Sequence, residues 1–157
     1  MKKTLLFLMA VFVLVLSGCT RQSSDNVIEQ FLMAFYSVEN LEQAQNSIDK
    51  LAVSDDAAVE YHESISPFVA ESCMDSIIAN RCLLQVQKAA TEKGRTFSVS
   101  NIKLDATKSA TKFSLTVTAT EKEGGKAYDI EQSGQINASE DGKISSVFFN
   151  NLEDLTN

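Results

Sequence analysis

The residues of this chain that could carry chemistry are few: three cysteines, one histidine and two polar side chains on an otherwise apolar strand face. Cys19 ends an apolar run, directly after the small residues Ser17 and Gly18, and so supplies a thiol at a cut site. His62 lies between Tyr61 and Glu63, with no second histidine four residues on, so a helical zinc-protease pair is excluded. Pairing His62 with Glu63 as a base is awkward, because helix neighbours i and i+1 point apart. His62 therefore reads as a surface histidine on a charged helix. The acid pairs Asp55-Asp56 and Glu153-Asp154 lack metal-ligand spacing and read as solvated faces or caps. No nucleophile elbow, phosphate-cradling glycine loop or calcium loop is present. The expectation is no catalytic residue, no metal and no cofactor.

Tyr128 and Gln132 share the parity of Ile130 and Ile136, so they face the core side of their strand. A buried glutamine amide needs partners. It could be the polar base of a ligand cavity, or a nearby helix end or a water could satisfy it; the second reading is the more economical. Cys73 and Cys82 are an even pair once Cys19 is set aside, and exported domains keep paired thiols oxidised. In one unbroken helix nine residues span ~13.5 Å, whereas a disulfide needs Cα atoms within about 7 Å. A Cys73–Cys82 bond therefore requires a break between them. Asn80-Arg81 is the expected break, with asparagine suited to the left-handed conformation. On compartment and count the Cys73–Cys82 bond is the expected outcome, and the alternative is two thiols packed as small apolar side chains beside Ile77 and Leu83.

The elements that position these residues follow from the pattern of the chain. Lys2 and Lys3 precede twelve unbroken apolar residues, 5–16, and then Ser17 and Gly18. This is the order of a signal peptide, and the run is shorter than the ~20 residues a membrane-spanning helix needs. Removal of residues 1–18 takes away two lysines and leaves 139 residues with 12 basic and 21 acidic side chains, a formal charge of −9. That length suits one domain, and that charge repels nucleic acid and anionic head groups. Residues 19–26 are expected to be the modified cysteine and a short polar tether, and 27–157 a single domain.

Within the domain, Val27, Ile28, Phe31, Leu32 and Phe35 fall at helical spacing, as do Leu41, Ala44, Ile48 and Leu51. Ser54 with Asp55 and Asp56 resembles a further helix cap. Helical pattern resumes at Phe68 and runs toward Gly94. Beyond Gly94 the period becomes 2. Phe113, Leu115, Val117 and Ala119 alternate with polar residues. Phe97 and Val99 have the opposite parity to Ile102 and Leu104, which predicts a bulge near Ser100-Asn101. Glu123-Gly124-Gly125-Lys126 is a turn, and Asp141-Gly142 predicts a type I′ hairpin with both central residues at positive φ. Helices followed by hairpin-linked strands give an α+β fold: N-terminal helices packed on a curved four-stranded antiparallel sheet. The outward face, with Ser114, Thr116, Thr118, Glu131, Ser133 and Gln135, is polar and lacks the apolar centre of a stable interface, so a monomer is expected.

Leu16-Ser17-Gly18-Cys19 resembles the lipobox of bacterial lipoproteins. The resemblance implies a diacylglyceryl group on Cys19, cleavage before it, and anchoring on the extracytoplasmic face of the cell membrane, or of an outer membrane where there is one. Two acyl chains hold stably where one holds marginally. The helices-then-sheet order, with Ser133-Gly134-Gln135-Ile136 and Asp141-Gly142-Lys143-Ile144 as the penultimate hairpin, resembles the nuclear transport factor 2-like (cystatin-like cone) superfamily. Ile144 stands where an aromatic often follows the glycine-lysine pair. The expected function is a non-enzymatic binding or interaction module at the cell envelope, with an envelope protein or small ligand as partner. The alternative is a small cone-fold enzyme or ligand carrier using Tyr61, His62 or Tyr128, with its pocket in the concave face of the sheet.

Overall fold

A computed structural model describes residues 24–51 and 62–157. Cys19 with the Leu16-Ser17-Gly18 before it, Tyr61, and the helix start expected at Ser54 lie outside the described residues. Residues 24–36 form helix α1, so residues 24–26, expected as tether, are already helical. Helix α2 (Leu41–Leu51), a 3-10 turn (Ser66–Phe68), α3 (Glu71–Ala79) and α4 (Cys82–Lys93) follow. Strands β1 (Arg95–Ala106), β2 (Thr111–Glu121), β3 (Ala127–Ala138) and β4 (Ile144–Phe149) complete an antiparallel meander in the order β1-β2-β3-β4, closed by a 3-10 turn at Leu152–Thr156. The α+β architecture, with helices preceding a four-stranded antiparallel sheet, is as the sequence predicts. Among the described residues no helix is long and apolar enough to cross a membrane.

The core forms where α1 lies on the inner face of the sheet. Ile28, Phe31, Leu32, Phe35 and Tyr36 are all buried. The spacing of the first four keeps them on one side of a 3.6-residue repeat. Phe35 stacks on Phe149 of β4 (ring centroids 4.5 Å apart, planes 14° apart), and Tyr36 meets the same ring edge-on at 6.0 Å. Each such side chain contributes about 1.5–3 kcal/mol by leaving water. Gly134 makes room for these rings. It pairs with Phe113 on one side and Phe149 on the other. A Cβ there would collide with the Phe148 carbonyl oxygen and come within 2.6 Å of the Phe113 ring.

The β1 bulge lies where the parity change requires it. The register with β2 shifts between Ser100 and Lys103, and Asn101 takes φ 53°. Val99, Ile102 and Leu104 consequently all pack against the core.

Three local expectations are corrected. The helical run toward Gly94 is two helices, and the left-handed residue at the break is Arg81 (φ 53°) rather than Asn80, which keeps a right-handed φ of −86°. Asn80 instead turns its Nδ2 back to donate to the Ser76 carbonyl at 2.9 Å, which leaves the next residue to reverse the chain. The β3–β4 hairpin exists, but only Gly142 has positive φ (81°). The Asp141 carboxylate braces a longer loop, accepting from the Lys143 N–H at 3.1 Å and from the Ser139 hydroxyl. Those two bonds hold the Asp141 carboxyl below the usual carboxylate range. His62 is not a surface residue. It is 7% exposed and starts a turn, its carbonyl accepting from the N–H groups of Ile65 and Ser66. The chain folds inward there to bury Ile65 beside it.

Candidate functional site

Parity along β3 places Tyr128, Ile130, Gln132, Gly134 and Ile136 on the inner face, opposite Ala119, Val117, Leu115, Phe113 and Thr111 of β2. Tyr128 and Gln132 therefore share a face, but four residues of strand separate them by ~13 Å. They enter two different groups.

Gln132 is 1% exposed and fully engaged. Its Oε1 accepts from the Tyr36 hydroxyl at 3.4 Å. Its Nε2 donates to the carbonyls of Asn151 at 3.2 Å and Glu131 at 3.3 Å. Burial raises the Tyr36 phenol far above its ordinary value, with the nearby Cys82 thiolate a smaller cause, so Tyr36 stays a donor. Asn151 completes the group. Its Oδ1 accepts from the Ser133 N–H at 3.1 Å, and its Nδ2 donates to Glu131 O at 2.7 Å and to Asp154 Oδ2 at 3.0 Å. The amide of Asn151 thus stands in for a peptide group of the missing neighbour strand, and it ties the C-terminal turn to β3. The satisfied-amide reading of Gln132 holds, and its partners are a helix tyrosine and a loop carbonyl.

Tyr128 sits at the other end of β3. Its hydroxyl donates to Glu121 Oε1 at 2.9 Å, while Arg95 and Lys126 lie over its ring at 5.0 and 4.7 Å. Arg95 Nη2 stands 3.8 Å from Glu121 Oε1, and Arg95 Nε is buried with no hydrogen-bond partner. Ala119 stands opposite Tyr128 on β2, and both cations are within cation–π reach of the ring. Contact with the Tyr128 hydroxyl raises the exposed Lys126 ammonium above its usual value. This cluster closes the turn end of the sheet. Its phenol and carboxylate are bonded to each other.

The expected Cys73–Cys82 disulfide is not formed: the two residues flank the helix break, but both are free thiols. Burial pushes both thiols up, which makes them poor nucleophiles. His62 and Tyr128 belong to different elements and are not linked by any described contact.

Sequence reasoning missed Tyr36, Asn151 and Arg95. Tyr36 carried a usable signal, being a phenol next to Phe35 on an otherwise apolar helix face. Asn151 carried none, because its role depends on β4 being six residues long while β3 has twelve. A shallow, open depression on α2 between Asn40, Gln43 and Ser47 is polar and lies apart from both groups. No family model, no curated protein and no solved structure matches the chain.

Proposed function

We propose that the chain is a membrane-anchored extracytoplasmic lipoprotein, held by acyl groups on Cys19, whose single domain is a non-enzymatic binding or interaction module at the cell envelope. The observation that carries the anchoring is the apolar run ending in Leu16-Ser17-Gly18-Cys19 behind Lys2 and Lys3. The reading as a binding module draws support from the inner face of the sheet. The α1 aromatics fill it, and its one buried glutamine spends its hydrogen bonds on Tyr36 and neighbouring carbonyls. The meander β1-β2-β3-β4 with helices on one face supports a nuclear transport factor 2-like cone as the fold family. The acidic balance of the chain argues against nucleic-acid partners.

Detergent phase partitioning and intact mass of the mature protein test the anchoring. The wild type should enter the detergent phase with added acyl mass and no residues 1–18, and Cys19→Ala should remain an unprocessed precursor. A mature wild type of unmodified mass would end this reading.

The burial of His62 favours a second reading, a cone-fold enzyme that uses it. His62→Ala separates the two only if a substrate-turnover assay responds beyond the loss of stability, which for a buried side chain is expected to exceed ~1 kcal/mol.

A further inference from the structure

β3 has twelve residues and β4 has six. The β3–β4 ladder runs only from Gly134↔Phe149 to Ala138↔Ile144. The half of β3 nearer the Gly124-Gly125 turn therefore has β2 on one side and, among the described residues, no strand on the other. Ser133 is still satisfied on that open side: the Asn150 N–H donates to its carbonyl at 3.0 Å and its own N–H donates to Asn151 Oδ1. Backbone groups alternate direction along a strand. The N–H and C=O of Ala127 and Asp129, and the N–H of Glu131, consequently point the same way as those of Ser133, and no described residue pairs with them. Ala127, Asp129 and Glu131 are exposed.

The other edges are protected. Val38 bridges Phe97 on the outer side of β1, and the bulge at Asn101 twists the remainder. Val69 bridges Ile144 beside β4, and the Ala70 N–H donates to the Ile144 carbonyl at 2.9 Å. Among the described residues, 127–131 thus form an unpaired edge of five residues about 17 Å long, open except at the Glu131 carbonyl, which Asn151 Nδ2 already occupies.

We infer that this stretch of β3 is a docking edge for an extended peptide segment of alternating basic and apolar residues, which adds as a short strand in line with β4. The chemistry of the edge selects that occupant. Asp129 and Glu131 present carboxylates on the outer face, and Glu153 and Asp154 are exposed in the turn that packs against β3. Tyr128 and Ile130, half-buried, line the inner face. An incoming strand puts alternate side chains on these two faces, so one set meets the acids and the other meets Ile130 beside Tyr128, over whose ring Arg95 and Lys126 lie. A second copy of this chain fits poorly, because antiparallel pairing of two such edges sets Asp129 against the other copy's Asp129 or against its Glu131. The formal charge of −7 further favours encounter with a basic segment.

The inference rests on the reading of the domain as a binding module, and its test is independent of the lipid anchor. Full-length protein in non-ionic detergent is titrated into a fluorescein-labelled nine-residue peptide of alternating lysine and valine, with anisotropy as the readout. Two further peptides serve as comparisons: the same residues in non-alternating order, and the alternating peptide with every backbone amide N-methylated. Both should bind at least about tenfold more weakly, the N-methylated peptide by the loss of one to two net hydrogen bonds and the non-alternating one because its side chains no longer match the two faces. Asp129→Pro should weaken the alternating peptide by a similar factor, since proline is tolerated where the N–H faces open solvent. Absence of binding would overturn the proposal, as would equal binding of the N-methylated peptide or a protein dimer that Asp129→Pro dissolves. The peptide comparisons leave the protein unchanged and so decide the matter even if Asp129→Pro fails to fold. Failure here leaves acylation of Cys19 untouched, and failure of acylation leaves this edge untouched.

Discussion

Gln132 should behave as one half of a buried pair, and a double-mutant cycle with Tyr36 measures it. Both side chains are essentially inaccessible, and the Tyr36 hydroxyl donates to Gln132 Oε1 at 3.4 Å. Tyr36→Phe removes the donor and leaves Oε1 unpaired in the interior, a cost of about 1–3 kcal/mol. Gln132→Leu leaves the Tyr36 hydroxyl and the Asn151 carbonyl unpaired, a cost in the same range of about 1–3 kcal/mol. Making both changes removes the unpaired hydroxyl and the unpaired Oε1 together. The double variant should therefore lose less than the two singles combined, by about 1 kcal/mol, toward the low end for contacting residues because the bond is long. Denaturant unfolding of the four proteins gives the coupling. Additivity within ~0.3–0.5 kcal/mol would refute the pairing. A Gln132→Leu variant more stable than wild type would show instead that the glutamine is kept for binding at the expense of stability.

The same tyrosine predicts an alkaline limit. The Tyr36 phenol has a raised value in the folded state, so its contribution is complete below the unfolded value of about 10 and is lost as pH rises above it, at about 1.4 kcal/mol per pH unit. Denaturant midpoints measured from pH 9 to 11 should fall less steeply in Tyr36→Phe, and an unchanged slope would contradict the burial. Gly134→Ala should cost at least ~2 kcal/mol, because a methyl group would have to displace the Phe148 backbone and the Phe113 ring; a thermal melt within half a kcal/mol of wild type would count against this packing. Arg81→Gly should stabilise by roughly 0.5–1 kcal/mol, since Arg81 is exposed and left-handed at φ 53°; a loss in the melt would mean that the arginine side chain holds the helix break. Thiol titration of the lipidated, denatured and unreduced protein should find two free thiols per chain, as the structure has them; none would restore the Cys73–Cys82 bond expected from compartment and count.

Much of the architecture was legible because it depends on side-chain period, and period is a property of the sequence alone. The α1 face of Ile28, Phe31, Leu32 and Phe35, the alternation of β2 and the inward parity of Tyr128 and Gln132 all follow from 3.6- or 2-residue repeats. The β1 bulge was legible for the same reason, as a parity that changes in mid-strand. The apolar run ending in Leu16-Ser17-Gly18-Cys19 and the acidic balance are likewise read from the sequence alone. Features that depend on where two distant segments meet were not legible. The sequence does not show that β4 stops six residues in, and with that it hides both the role of Asn151 and the edge at Asp129 that no described residue pairs. His62 looked exposed because its neighbours in sequence are polar, whereas its burial comes from a turn that folds Ile65 into the core. Which residue at the helix break would take the left-handed conformation was settled by a competition between backbone cost and side-chain bonding. Asn80 gained a bond to Ser76, and Arg81 was left to make the reversal. Local propensities differ by about 1 kcal/mol or less, and a single tertiary contact is enough to reverse them.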